Sequence, residues 1–291
     1  MSPPRLLSSI LDQLRSEPSR TGSVIISFYG DAIAPRGGCV ALATLLRFFA
    51  AIGIAEPVVR TAIHRVAREG WLESTRVGRV SFYRLTASGR TEFAEATGRI
   101  YGPAPRRGDG RLRLVVLADV ERREDQRAAL EAAGYGVLAP WVMIGPQSAA
   151  PPDAAAGVLV LDAGADPETA RLLAARTWPV EQVGAAWRRY VDGIGPLDAA
   201  LADAHAARGL DALTARVLLV HGYRRILTHD PGLPPELLPE PWAGALARAA
   251  CAALWRALVA ESEAWLDANA TTEAGPLGPP DAAFARRFVA D

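Results

Sequence analysis

The chain has 291 residues, half of them hydrophobic and 22% charged, a globular composition with room for two or three domains. Its net charge of zero is a sum of opposites: residues 1–113 carry 17 arginines and nine acids, and the remainder is acidic to the same extent, the asymmetry of a basic nucleic-acid module joined to acidic domains. All 32 basic residues are arginine, and the missing lysine excludes P-loop NTPases, PLP Schiff-base enzymes, lysine-dependent kinases and Ser-Lys catalysis.

In chain order, Leu6 to Leu14 reads as a short amphipathic lead-in helix followed by the breaker SEPSRTG. Ser23 is read as the N-cap of a first helix, SVIISFYGDAI, stopped by Ala34-Pro35-Arg36-Gly37-Gly38. Val40 to Ala51 is an apolar helix, and Ile52-Gly53-Ile54 turns the chain. Glu56-Pro57 then opens a further helix, with proline where a first helical position tolerates it, and Gly70 ends it. WLESTRVGRVSFYRL gives two strands around a basic tip, and Thr86 caps a helix to about Tyr101. Helix, turn, helix and hairpin, in this order, are those of a winged helix-turn-helix.

The helix after Pro57 carries the functional pattern. At 100° per residue, Val59, Ala62, Ile63 and Val66 share one side, while Arg60, Thr61, His64, Arg65 and Arg68 share the other. Arginine there can fork onto guanine O6/N7 or hold phosphate oxygens, and threonine can touch a thymine methyl. Arg76 and Arg79 at the hairpin tip fall where a wing meets phosphate or the minor groove. These seven residues are the candidate DNA contacts.

GPAPRRGDG (102–110) is a linker. Beyond it the order strand (RLRLVVL), helix (ERREDQRAALEAAG), one broken strand or a strand pair (YGVLAPWVMIG), strand (GVLVLDA) and helix (DPETARLLAART) suggests a small ferredoxin-like sheet. From Trp178 the chain is mainly helical, with the proline-rich loop DPGLPPELLPEPW (230–242) before a last long helix from Trp242 to about Ala268. The tail from Thr271 reads as loosely ordered. The expected fold is α+β multidomain: winged helix-turn-helix 1–105, ferredoxin-like domain 106–177, and a mainly helical effector and dimerisation domain 178–291.

The first twenty residues carry charges through any would-be apolar core, so no signal peptide is read. No uncharged apolar run approaches the eighteen or so residues of a membrane helix. Cys39 and Cys251 lie too far apart for a zinc motif and suit a reducing compartment. The expectation is a soluble, cytoplasmic protein with no membrane contact.

Several separated segments resemble the PaaX family of bacterial repressors of phenylacetate catabolism. SFYGDAIAPRGG, VRTAIHRVAREGWL, SFYRLTASGR and RIYG follow its N-terminal pattern, and LLVHGYRRIL with DPGLPPELLPEPWAG resembles its late signature. The middle domain resembles that of small CRISPR-associated nucleases, as the family's does. The chain departs from the pattern at Gly222, where a glutamate is frequent, and at His229, where an arginine is frequent; both positions bear on ligand preference. The resemblance implies a homodimer on a palindromic double-stranded operator, released by phenylacetyl-CoA or a related aryl-CoA, with no cofactor.

A CoA ester needs cations for its phosphates and an aromatic-lined slot for its acyl end. Arginine pairs beside aromatics supply candidates: Arg189, Tyr190, His221, Tyr223, Arg224 and Arg225, with Trp178 and Trp242. The alternative is that the aromatics pack the core and the arginines pair with nearby acids. Enzyme readings are weaker. His221, His229 and Asp230 lack a further metal ligand in suitable spacing, and Gly193-Ile194-Gly195 is half a dinucleotide fingerprint in a helix-to-helix turn. Asp119, where nuclease relatives hold a metal-binding acid, has no partner motif. The reading is a non-enzyme without catalytic residues or metal, the alternative being a nuclease-like or RNA-binding protein acting through the central domain.

Overall fold

A computed structural model describes residues 5–16, 20–104, 108, 110–119, 121–150 and 157–289. Part of the linker (105–107 and 109) lies outside the described residues. The fold is mixed α+β and divides into two compact units. One joins residues 1–103, 189–227 and 246–291; the other joins 104–188 and 228–245. This grouping differs from three consecutive domains at 1–105, 106–177 and 178–291, because helices late in the chain bury against the N-terminal ones.

In the first unit the lead-in helix α1 (Arg5–Ser16) packs on later helices through Leu6, Leu7 and Ile10. Helix α2 (Thr21–Phe28) starts two residues before the expected Ser23, with Arg20 as N-cap and no side-chain cap bond. It continues into one wide π turn, Tyr29–Ile33, and a 3-10 turn, Ala34–Arg36, that ends at Gly37 with φ 89°. The wider turn keeps Phe28, Tyr29, Asp31, Ala32 and Ile33 all inside, so an acid enters the core.

The expected helix from Val40 starts later. Cys39–Ala41 is a strand, β1, and helix α3 covers Leu42–Ala51. Helix α4 (Glu56–Arg68) closes with Gly70 at φ 85°, its N–H bonding Ala67 O at 3.0 Å and the Trp71 N–H bonding Val66 O at 3.3 Å. The hairpin β2 (Leu72–Val77) and β3 (Val80–Leu85) forms a sheet in the order β1-β3-β2. Thr86 caps helix α5 (Ala87–Tyr101), its Oγ1 accepting from Gly89 N at 3.0 Å.

The second unit holds strand β4 (Leu112–Leu117), helix α6 (Arg123–Ala132), strands β5 (Gly136–Ala139), β6 (Val142–Pro146) and β7 (Val158–Ala163), and helix α7 (Pro167–Thr177). YGVLAPWVMIG is thus a strand pair. The sheet runs β5-β6-β4-β7 with every neighbour antiparallel. One face packs Leu112 and Ile144 against Ala170, Ala174 and Trp178, with Leu233 and Leu237. The other packs Val115, Leu117 and Met143 with Leu130 and Tyr135.

Helix α8 (Val180–Ile194) belongs to the second unit up to Arg188 and to the first from Arg189. The first unit is completed by α9 (Leu197–Ala206), α10 (Gly209–Leu227) and most of α11 (Ala243–Asn269). Nearly every residue of α10 from Ala212 to Tyr223 is buried, against α1, α2, α3 and α5, including the polar Thr214, Arg216 and His221. By length and hydropathy alone α11 could cross a membrane, but half of its most apolar window is buried, through residues such as Ala247, Cys251, Leu254 and Leu258.

The tail is ordered through residue 289, contrary to expectation. A short ladder joins β8 (Thr271–Thr272) to β9 (Gly275–Pro276), the Asp281 N–H bonds Pro35 O at 2.8 Å, and Phe284 and Phe288 are buried. Their rings pack on Trp255 at 5.2 and 5.8 Å, an aromatic anchorage that Pro and Gly around it in sequence conceal.

Candidate nucleic-acid interface

Helix α4 has two faces. Val59, Ala62, Ile63 and Val66 are buried, and fully burying side chains of the larger of these stabilises by roughly 1.5–3 kcal/mol each, which fixes the helix's rotation. Arg60, Thr61, His64, Arg65 and Arg68 are therefore all exposed. Arg60 pairs with Glu56 at 2.6 Å and Arg65 with Glu69 at 3.6 Å, exposed pairs of little energetic value that phosphate can displace. Thr61 Oγ1 donates to Pro57 O at 2.9 Å, which leaves its methyl free to meet a ligand. The His64 ring stands edge-on to Tyr83 of β3, 6.3 Å away. In the hairpin, Val77 opposes Val80 across Gly78-Arg79, and Arg76 Nε donates to Gly78 O at 3.2 Å; both tip arginines are exposed.

A shallow cleft of about 480 Å³ runs beside this face, lined by Arg20, Thr21, Pro57, Val58, Thr61, Ala62 and Arg65. Arg65 approaches α2 so closely that a Cβ on Gly22 would lie 2.9 Å from its Nη2. Arg20 was not among the sequence candidates, because nothing local links it to α4.

Helix α2 is tied to the C-terminal helices by buried polar groups. Ser27 Oγ meets His221 Nδ1 at 2.9 Å and accepts from Arg224 Nε at 3.0 Å, and Arg224 Nη2 donates to Ser23 Oγ at 2.8 Å. Burial, with the charges of Arg224 and Arg225, pushes the His221 imidazole down to about 3, so this histidine is neutral.

The next turn places Asp31 at the centre of a second cluster. Its carboxylate accepts from Tyr101 Oη at 2.8 Å, Trp255 Nε1 at 2.9 Å and Arg216 Nε at 2.7 Å. Arg216 Nη1 continues to Glu263 at 2.6 Å, and Arg36 Nε bonds the same Glu263 at 2.9 Å. Arg36 also reaches Asp267 at 2.8 Å. Arg287 from the tail donates to the backbone oxygens of Asp31 and Gly30, both at 2.8 Å, with its guanidinium 4.0 Å from the Tyr101 ring. Burial and the Asp31 charge push the Tyr101 phenol well above its usual range. The signal for this cluster was an acid inside SFYGDAI and an arginine inside ALTARVLLV, charges in otherwise apolar runs.

The eight effector candidates divide between the units. In the first, Tyr190 and Tyr223 are buried with rings 6.2 Å apart, His221 and Arg224 are engaged with α2, Arg189 is exposed and Arg225 half-buried. Gly222 lets α10 pass against Tyr190: a Cβ there would meet the ring at 3.1 Å, so a glutamate would displace it. In the second, Trp178 sits in the sheet core and Trp242 is partly buried at its margin.

The other chemical candidates have structural partners. Asp230 accepts from Trp187 Nε1 at 2.6 Å and from Gly232 N at 2.8 Å, and Asp119 Oδ1 caps a turn through Glu121 N at 3.0 Å. His229 Nδ1 contacts Thr228 Oγ1 at 3.2 Å. Cys39 and Cys251 are buried free thiols, and burial pushes Cys251 up to about 12. Among the described residues no group of three or more His, Cys, Asp or Glu is placed to hold a metal ion.

Residues 20–89 match the family profile described as PaaX-like protein, and residues 178–268 match the PaaX-like protein C-terminal domain. The uncharacterized protein Rv0674 from Mycobacterium tuberculosis, a solved structure, superposes with a TM-score of 0.50 at 26% identity, over 77% of this chain and 90% of that one. The transcriptional repressor PaaX of Escherichia coli K12 is 30% identical over 98% of this chain and 95% of its own length. With both ends of the chain matched and a relative aligned along nearly its whole length, the chain belongs to the PaaX family.

Proposed function

We propose that this protein is a DNA-binding transcriptional repressor of an aromatic (phenylacetate) degradation operon, acting in the cytoplasm without catalysis. It binds a palindromic operator as a homodimer and is released by phenylacetyl-CoA or a related aryl-CoA. The observation that carries the reading is the division of α4 into an apolar buried face and an exposed face of three arginines, a threonine and a histidine. The repressor named among its relatives supports the same role.

The segment α2 to β3 acts as a winged helix-turn-helix, with α4 entering the major groove and Arg76 and Arg79 on the wing. The sheet order β5-β6-β4-β7, antiparallel throughout, supports a ferredoxin-like middle domain, here with α7 following the fourth strand. Ligand acts through α10. Because His221, Arg224 and Arg216 on that helix hold Ser27, Ser23 and Asp31 on or just after α2, a displacement of α10 drags the reading head. Coupling of this kind amounts to about 1–3 kcal/mol, a 5–150-fold change in operator affinity.

The test is fluorescence anisotropy with duplexes from upstream of the operon, at two salt concentrations, with and without phenylacetyl-CoA. Sequence-selective binding released by the thioester is expected. Arg68→Ala should weaken binding to all duplexes and reduce the salt slope by about one. No selective binding to any upstream duplex refutes the repressor; selective binding indifferent to every aryl-CoA refutes the effector.

A further inference from the structure

Helix α4 opens on a turn unlike the rest of its exposed face. Pro57, Val58 and Thr61 are all exposed there, and Val58 keeps 50% of its surface bare. Thr61 is three residues from Val58 and four from Pro57, so it lies beside both on the helix surface. Its hydroxyl turns back to Pro57 O at 2.9 Å, which leaves its methyl to extend their apolar surface. With the buried Ala62 these residues line the cleft of about 480 Å³ that Arg20, Thr21 and Arg65 complete.

This turn is poorly suited to phosphate. Helix N-termini hold anions through free backbone N–H groups. Here Pro57 has none to give, and the N–H groups of Val58 and Val59 both bond Ala55 O, at 3.0 and 3.2 Å. The Glu56 carboxylate stands at the same end, held by Arg60 at 2.6 Å. The cations of the cleft come instead from Arg20 and, one turn further along α4, Arg65. An apolar seat edged by arginines fits DNA where a base edge carries a methyl group close to phosphates. Among the four bases only thymine presents one in the major groove.

We propose that Val58, seated with Pro57 and Thr61, is a specificity-determining residue. Their surface receives the 5-methyl group of one thymine in each operator half-site, while Arg20 and Arg65 hold the flanking phosphates. The inference rests on the repressor reading and adds to it the kind of base that the opening turn of α4 selects. Recognition helices meet base edges with their N-terminal residues. Among Glu56, Pro57, Val58 and Thr61 the single side-chain donor is the Thr61 hydroxyl, and it is already given to Pro57 O. Discrimination at this base pair is therefore apolar, and it releases no counterion of its own.

The full-length protein and a duplex that it binds selectively test this. Each thymine of the duplex is replaced in turn by deoxyuridine, which removes the methyl and keeps the base pairing. One position in each half-site should weaken wild-type binding roughly fourfold, the worth of one buried methyl group. Val58→Ala should bind the thymine duplex weaker by about the same factor or more, and lose nothing further at that deoxyuridine. Its dependence on salt should match the wild type. Alanine is the better helix former and Val58 is half exposed, so the variant should fold with circular dichroism unchanged. Leu246→Ala, a control of comparable exposure on α11, should keep the full deoxyuridine loss. A flat deoxyuridine scan, an equal deoxyuridine loss in Val58→Ala and wild type, or a salt slope lowered by Val58→Ala overturns this inference and leaves the repressor standing. Absence of selective binding to any duplex overturns both.

Discussion

Replacing Asp31 by alanine tests the cluster at the turn that follows α2. The carboxylate is buried and takes four side-chain donors among the described residues, two of them the guanidinium groups of Arg216 and, at 3.5 Å, Arg287. Removing it leaves Arg216 with Glu263 as its only carboxylate partner, while its Nη2 already has no hydrogen bond among the described residues. Breaking a buried ion pair by deleting one partner costs about 3–5 kcal/mol. Tyr101 and Trp255 also lose their acceptor, each loss costing roughly 1–3 kcal/mol before relaxation and entering water reduce it. Because these losses share one site they do not add, and the expected destabilisation is about 4–6 kcal/mol. Urea unfolding followed by tryptophan fluorescence and circular dichroism reads it, as an earlier transition of the unit that holds Trp255. Asp31→Leu combined with Arg216→Met removes both charges and should be less costly than Asp31→Ala alone. A cost below about 1 kcal/mol for Asp31→Ala, or a double variant no better than the single one, refutes the account.

His221 gives a pH dependence of defined sign. Its folded value of about 3 lies below the 6.5 of an unfolded histidine, so its contribution is complete above pH 6.5 and is lost as pH falls toward 3. Relative to His221→Gln, the wild type should lose about 2 kcal/mol between pH 7.5 and pH 5, seen in Tm against pH; parallel curves would contradict the buried neutral imidazole. Phe288 packs on Tyr101, Trp255 and Tyr223 with centroids at 5.1, 5.8 and 6.4 Å. Phe288→Ala should cost about 3–5 kcal/mol and make the tail a site of rapid proteolysis; an unchanged urea midpoint would show that the tail adds nothing.

What could be read from the sequence was local. The period of α4, the Thr86 cap and the Gly78 turn are fixed by neighbours within a few residues, and each lies where its pattern puts it. What could not be read depends on partners far along the chain. Cys39–Ala41 is indistinguishable from the helix that follows until Tyr83 and its neighbours pair with it. The π turn at Tyr29–Ile33 is justified by Arg216, Trp255, Tyr101 and Arg287, all far along the chain, and the tail by Tyr101 and Trp255. At the candidate interface the same rule holds: the exposed arginines follow from periodicity, while Arg20 enters the cleft only through the folded position of α2.

The bonds from Arg287 to Gly30 and Asp31 also have a consequence for biosynthesis. Arg287 stands 256 positions beyond Asp31, so at about 5–20 residues per second a ribosome needs roughly 13–50 s to supply it after making the aspartate. Throughout that interval the nascent head has an acid in its core without Arg287, and for most of it without Arg216 and Trp255 as well. Its apolar segments must remain incompletely closed, or be shielded by a chaperone, until Arg287 has left the exit tunnel. A message truncated before Arg287 therefore yields a head that lacks the bonds which complete this core.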